Sequence, residues 1–130
     1  MLFAIASLTL AAAVTASPAA PTEATMEAEL ILASSVINRE AQPLPEELLA
    51  GHIVYAFTQI TGPGGGFVEH VWTRDGKEVA RHYLPVGLGK RWRTWSRHTV
   101  AAGQYRVQVL GPDGKQLQET SFTVLPVEQD

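Results

Sequence analysis

Apolar and polar residues alternate along most of the chain after residue 50, the period-two signature of half-buried strands. Segments 52–60, 67–73, 78–84, 90–98, 104–110 and 116–125 follow this pattern, with many β-branched and aromatic side chains. An earlier stretch, 28–37, holds Leu30, Ile31, Leu32, Val36 and Ile37 and predicts a first strand. Residues 61–66, 85–89 and 111–114 have turn composition. Pro43 and Pro45 interrupt any pairing between the first strand and the second. Residues 45–51 predict one helical turn, with Pro45 first, Glu46 and Glu47 near the N-terminus and Gly51 at the end. Seven short strands with a turn about every ten residues predict an all-β domain, an antiparallel seven-stranded immunoglobulin-like β-sandwich.

Asp75-Gly76 is the strongest hairpin signal. In a two-residue loop Arg74 faces Lys77, which sets Trp72 opposite Val79, His70 opposite Arg81 and Glu69 opposite His82. A three-residue loop would pair Glu69 with Arg81 instead. The two-residue register is the expectation, and either one keeps His70 and Trp72 on a common face.

The N-terminus changes the domain count. Thirteen of the first sixteen residues are apolar, none is charged, and the run ends in Val14-Thr15-Ala16. This predicts a secretory signal peptide over 1–16, cleaved after Ala16, although no Lys or Arg precedes the apolar run. The run is shorter than the about twenty residues a membrane crossing needs, so no stable transmembrane segment is expected in the mature chain. Residues 17–27, rich in Pro, Ala and Thr, predict a flexible tether, and 28–127 the folded domain. The mature protein is then exported, periplasmic or secreted. With Cys 0, disulfides, thiolate nucleophiles and Cys-based zinc sites are excluded.

Charge is modest, a net −3 over 130 residues. From residue 17 to 50 six Glu stand against one Arg; from 51 to 130 nine Lys or Arg stand against seven Asp or Glu. No concentrated basic surface suited to nucleic acid emerges.

Templates for catalysis are poorly matched. There is no Gly-x-Ser-x-Gly elbow, and Ser96-Arg97-His98 comes with no acid indicated. Gly87-Leu88-Gly89-Lys90 lacks the glycine that a phosphate loop needs five positions before Gly89, where Leu84 stands. His52, His70, His82 and His98 form no close-spaced pair of metal-ligand type. The expectation is therefore a protein that is not an enzyme, with no metal and no cofactor. The alternatives are a small hydrolase using His70 or His82 with Glu69, and a purely structural spacer.

One segment departs from ordinary strand composition: Lys90-Arg91-Trp92-Arg93-Thr94-Trp95-Ser96-Arg97-His98. On a strand, Arg91, Arg93, Trp95 and Arg97 face one way and Trp92, Thr94, Ser96 and His98 the other. Trp92 is expected inward with Trp72, both in the core, and Trp95 outward between guanidinium groups. A surface of Arg91, Arg93, Trp95 and Arg97 beside His70 suits a partner protein or an anionic or glycan component of the envelope. The same arginines could instead serve to cover the indole.

Ile37-Asn38-Arg39-Glu40, Tyr55-Ala56-Phe57-Thr58, His70-Val71-Trp72, Arg91-Trp92-Arg93-Thr94-Trp95-Ser96 and Gly103-Gln104-Tyr105-Arg106-Val107 together resemble the bacterial domain-of-unknown-function family 2914. The resemblance spans about residues 37 to 125. It departs from the family pattern after Asn38-Arg39, where Pro43 comes later than usual. It implies a small exported or membrane-tethered bacterial module and no assigned activity.

Overall fold

The computed structural model describes residues 26–62, 64–89 and 91–127. The expected signal peptide, 1–16, and most of the expected tether lie outside them. Nine strands form: β1 (Glu27–Ala33), β2 (Ser35–Ile37), β3 (Glu40–Gln42), β4 (Ile53–Thr61), β5 (Phe67–Arg74), β6 (Lys77–Pro85), β7 (Arg91–Thr99), β8 (Gly103–Leu110) and β9 (Gln116–Val124). Among the described residues there is no helix. The all-β class stands, with nine strands instead of seven.

The added strands are β2, from the end of the first segment, and β3, from the residues after it. The first segment breaks at Ser34, and β2 turns back onto β3 through Asn38 and Arg39, whose φ values are 51° and 62°. Left-handed backbone at Arg39 is unusual for a residue with a side chain. The helical turn over 45–51 is also absent. There Leu49 makes a parallel bridge to Leu125, the Ala50 N–H donates to the Leu125 carbonyl (2.8 Å), and the Leu125 N–H donates to Leu48 (2.9 Å). Backbone groups that a helical turn would use internally tie down the last strand, and Leu48 is buried beneath.

The strands make a three-stranded sheet, β1-β4-β7, a four-stranded sheet, β6-β5-β8-β9, and the β2-β3 hairpin, all antiparallel within each sheet. The two larger sheets pack face to face. Val54 and Ala56 from β4 meet Trp72 from β5, Tyr105 and Val107 from β8 and Val124 from β9; Ile60, Val68, Val86 and Val109 make a second cluster. Trp72 is fully buried, as expected, and Trp92 packs against the second cluster from the inward face of β7. Gly87 fits against that indole: a Cβ there would lie 2.4 Å from the ring of Trp92.

The β5-β6 hairpin shows where local reasoning stops. Asp75 and Gly76 have φ of 49° and 84°, both positive as a type I′ turn requires, and Arg74 faces Lys77. The register then shifts by one between Trp72 and Thr73, so Trp72 faces Ala80, His70 faces His82 and Glu69 faces Tyr83. The expected pairs Trp72–Val79, His70–Arg81 and Glu69–His82 are overturned. Without the bulge, Val79, Arg81 and Tyr83 would point inward with Trp72. With it, small Ala80 lies opposite the indole and the Arg81 guanidinium stays in solvent.

Candidate groove along β7

β7 pairs with β4 along its whole length, Arg91 with Thr61 to Thr99 with Ile53, with no register shift. Among the described residues its other edge has no strand partner, because the three-stranded sheet ends there. Arg91, Arg93, Trp95 and Arg97 share the outer face, as the alternation predicts. Trp95 stacks on Phe57, with centroids 5.9 Å apart and planes at 15°. The outer face is only partly in water, because the β2-β3 hairpin lies against this sheet. The Arg93 guanidinium donates to the carbonyl of Arg39 (3.1 Å) and to Gln59 (3.4 Å), so its role is partly structural. Arg39 in turn lies 5.9 Å over the Trp92 ring. The guanidinium over an indole is thus contributed by Arg39, not by β7 itself. Arg91 and Arg97 are exposed.

Two cavities flank the free edge. One, of about 510 Å³, is lined by Val36, Tyr55, His82, Leu84, Trp95, Ser96 and Arg97. The other, of about 270 Å³, is lined by Arg39, Pro85, Trp92, Arg93, Thr94 and Trp95. Each takes side chains from both faces of β7: inward Ser96 with outward Trp95 and Arg97, inward Trp92 and Thr94 with outward Arg93. Since β4 closes the opposite edge, a cavity touching both faces must run past the free one. The result is a trough with the β7 edge along it, β6 as one wall and the β2-β3 hairpin as the other.

Beneath the trough lies a buried polar chain. His70 is fully buried, and its Nε2 and Thr58 Oγ1 share a hydrogen bond of 2.8 Å, its Nδ1 and Ser96 Oγ one of 2.7 Å. Trp72 Nε1 donates to the same Ser96 Oγ at 3.1 Å. Neutral imidazole has one donor and one acceptor nitrogen, and the two hydroxyls can complete either tautomer. Burial, then the charge of facing His82, push His70 down to about 4. His98, whose ring lies 5.4 Å from that of Trp72, is also lowered, by burial first and then by His82. His82 Nε2 is buried without a hydrogen-bond partner.

His70, expected beside the arginines on a binding surface, is therefore an interior residue: it supports β7 through Ser96 and cannot reach a ligand. Glu69, proposed with the histidines for hydrolysis, lies on the opposite face of its strand, ion-paired to Arg81, which also binds Glu78. Among the described residues no three His, Asp or Glu side chains converge as metal ligands. Sequence reasoning missed Tyr55, Val36 and Arg39. Tyr55 was within reach: carrying the alternation of β4 across to β7 places it beside Arg97. The other two depend on a hairpin that the sequence did not signal.

A family model described as "Protein of unknown function (DUF2914)" matches residues 67–124, from the start of β5 to the end of β9. It covers three of the five motifs carrying the resemblance, His70-Val71-Trp72, the Arg/Trp run and Gly103-Gln104-Tyr105-Arg106-Val107. No curated protein matches the chain.

Proposed function

With residues 67–124 belonging to this family of unknown function, we propose that the chain is a non-enzymatic binding module, exported to the periplasm or beyond, that takes an anionic partner along the free edge of β7. The trough carries this reading. Arg97 lines it and exposed Arg91 lies further along the same strand face, and among the described residues no carboxylate lies within 4.0 Å of either guanidinium. Exposed arginines beside aromatic rings are well suited to bind oxyanions, since the planar guanidinium donates in pairs and stacks. Glu69, turned away from His70 and His82, disfavours the hydrolase.

Strand order supports the immunoglobulin-like reading. Leaving out β2 and β3, the first, second and fifth strands form one sheet and the fourth, third, sixth and seventh the other. Trp72 is buried on the third of these strands, and near the start of the sixth the Tyr105 hydroxyl accepts from the Ala101 N–H (3.0 Å), in the manner of a tyrosine corner.

Titrating the isotope-labelled protein with polyglutamate, polygalacturonate and polylysine, and following backbone amides by NMR, tests the assignment. The polyanions should shift residues 92–97, and Arg91→Ala with Arg97→Ala should weaken binding about tenfold while leaving the melting temperature in place. Equal response to polylysine, shifts remote from β7, or undiminished binding by the double variant would overturn it.

A further inference from the structure

We propose that the partner enters the trough as an added strand: an extended acidic polypeptide segment that hydrogen-bonds to the free edge of β7. This rests on the reading of the trough as the binding site and specifies what occupies it.

Three observations converge. The first is the edge itself. A nine-residue edge strand exposes a row of unpaired N–H and C=O groups, which native domains guard with proline, a bulge, charged side chains or a covering segment; of these β7 has charges, in arginines that would attract an acidic strand, and the hairpin tip. β7 contains no proline, pairs with β4 without a bulge, and keeps its arginines on the outer face. Among the described residues the cover at this edge is the hairpin tip, where Arg39 meets Trp92 and Arg93.

The second is room on both sides. An added strand lies about 4.8 Å from its neighbour and sends alternate side chains to the two faces of the sheet. The trough has space on both sides of the β7 edge. It opens outward between Val36, Tyr55, Trp95 and Arg97, and inward between Leu84, Ser96 and His82. An occupant lying only on the surface would use one side.

The third is complementarity. On the outer face the incoming strand meets Arg91, Arg93, Trp95 and Arg97 in alternate register. It should carry an apolar residue beside Trp95 and acidic residues two positions to either side. On the inner face Leu84 and Trp92 offer apolar contact. A folded second copy fits less well. An edge with the matching pattern, β1 with Glu27, Glu29 and Ile31 outward, is packed against its own β9.

The test uses the full chain and a fluorescent nine-residue peptide, Thr-Thr-Glu-Thr-Val-Thr-Glu-Thr-Thr, with two analogues N-methylated at alternate amides in opposite phase. Alternate amides of a strand point to opposite edges, so one analogue has its β7-facing donors blocked and the other its solvent-facing ones. The parent should bind, shift the amides of residues 92–97 and protect β7 from hydrogen exchange. One analogue should bind about tenfold or more weakly, and the other as the parent does. Equal binding by the two analogues, in either direction, overturns strand addition. So does full competition by polygalacturonate with no exchange protection in β7, which would leave the anion groove standing with a glycan occupant. If neither peptide nor polyanion perturbs residues 92–97, the groove assignment falls as well.

Discussion

Acid should unfold this domain through His70. Its imidazole is held at about 4 in the folded protein, against an ordinary 6.5. Between those values the unfolded chain binds a proton that the folded chain does not, so stability falls as pH falls through that window and levels off once both states are protonated. The loss from this one side chain is about 2 kcal/mol at pH 5 and about 3 kcal/mol at pH 4, relative to pH 7.5. His98 is shifted in the same direction and adds to it. A small domain has about 5–15 kcal/mol in total, so the effect is large. Paired carboxylates also lose stability in acid, but they do so nearer their own lower titration range. Glu78, held down by its hydrogen bond to Arg81, belongs to that later phase.

Urea denaturation at a series of pH values between 7.5 and 4 measures this directly. The wild type should lose most of the effect between pH 6.5 and 4.5. His70→Gln, whose amide can neither titrate nor leave Ser96 and Thr58 wholly without partners, should lose about 2 kcal/mol less on going to pH 5. If the variant folds poorly, NMR titration of the His70 ring in the wild type gives the same information, since no protonation should be seen above about pH 5. An unchanged slope in the variant, or a His70 midpoint near 6.5, would refute the reasoning.

Trp72→Ala should cost about 3–5 kcal/mol in chemical denaturation, since it empties the middle of the main core and removes the donor that fixes Ser96; a loss under about 1 kcal/mol would mean the site is not packed as described. Gly87→Ala should lower the melting temperature and alter Trp92 fluorescence, because a methyl group there meets the indole at 2.4 Å. An unchanged emission spectrum would show that the loop does not press on that ring.

How much of this was legible in the chain depends on the range over which each signal acts. Six of the seven predicted strand segments each become one strand and the first splits in two at Ser34, because alternation and turn residues are local properties. The Asp75-Gly76 turn has the expected conformation for the same reason. Which side chains meet is a longer-range question. A single bulge between Trp72 and Thr73 reassigns the partners of β6 from Ala80 onward and turns His82 toward His70. Nothing near residue 79 announces that shift. It follows from what would otherwise be buried, a guanidinium at Arg81 opposite a bulky core. The β2-β3 hairpin was missed for a related reason, since Asn38-Arg39 is a weak turn signal without a glycine.

The groove extends that lesson to function. The composition of β7 marked it as unusual, and its outer row of Arg91, Arg93, Trp95 and Arg97 is where alternation places it. What makes the strand a candidate site is not on the strand. β6 and the hairpin stand on either side of an edge that the three-stranded sheet leaves open, and His70 braces Ser96 from below without touching the trough. The two walls come from segments far apart in sequence, Val36 at one end and His82 and Leu84 at the other. An arginine-rich strand in mid-sheet would have only one accessible face, whereas at an open edge it also offers its backbone. Phase-dependent loss of binding in the methylated peptides would therefore separate the contribution of sheet topology from that of charge.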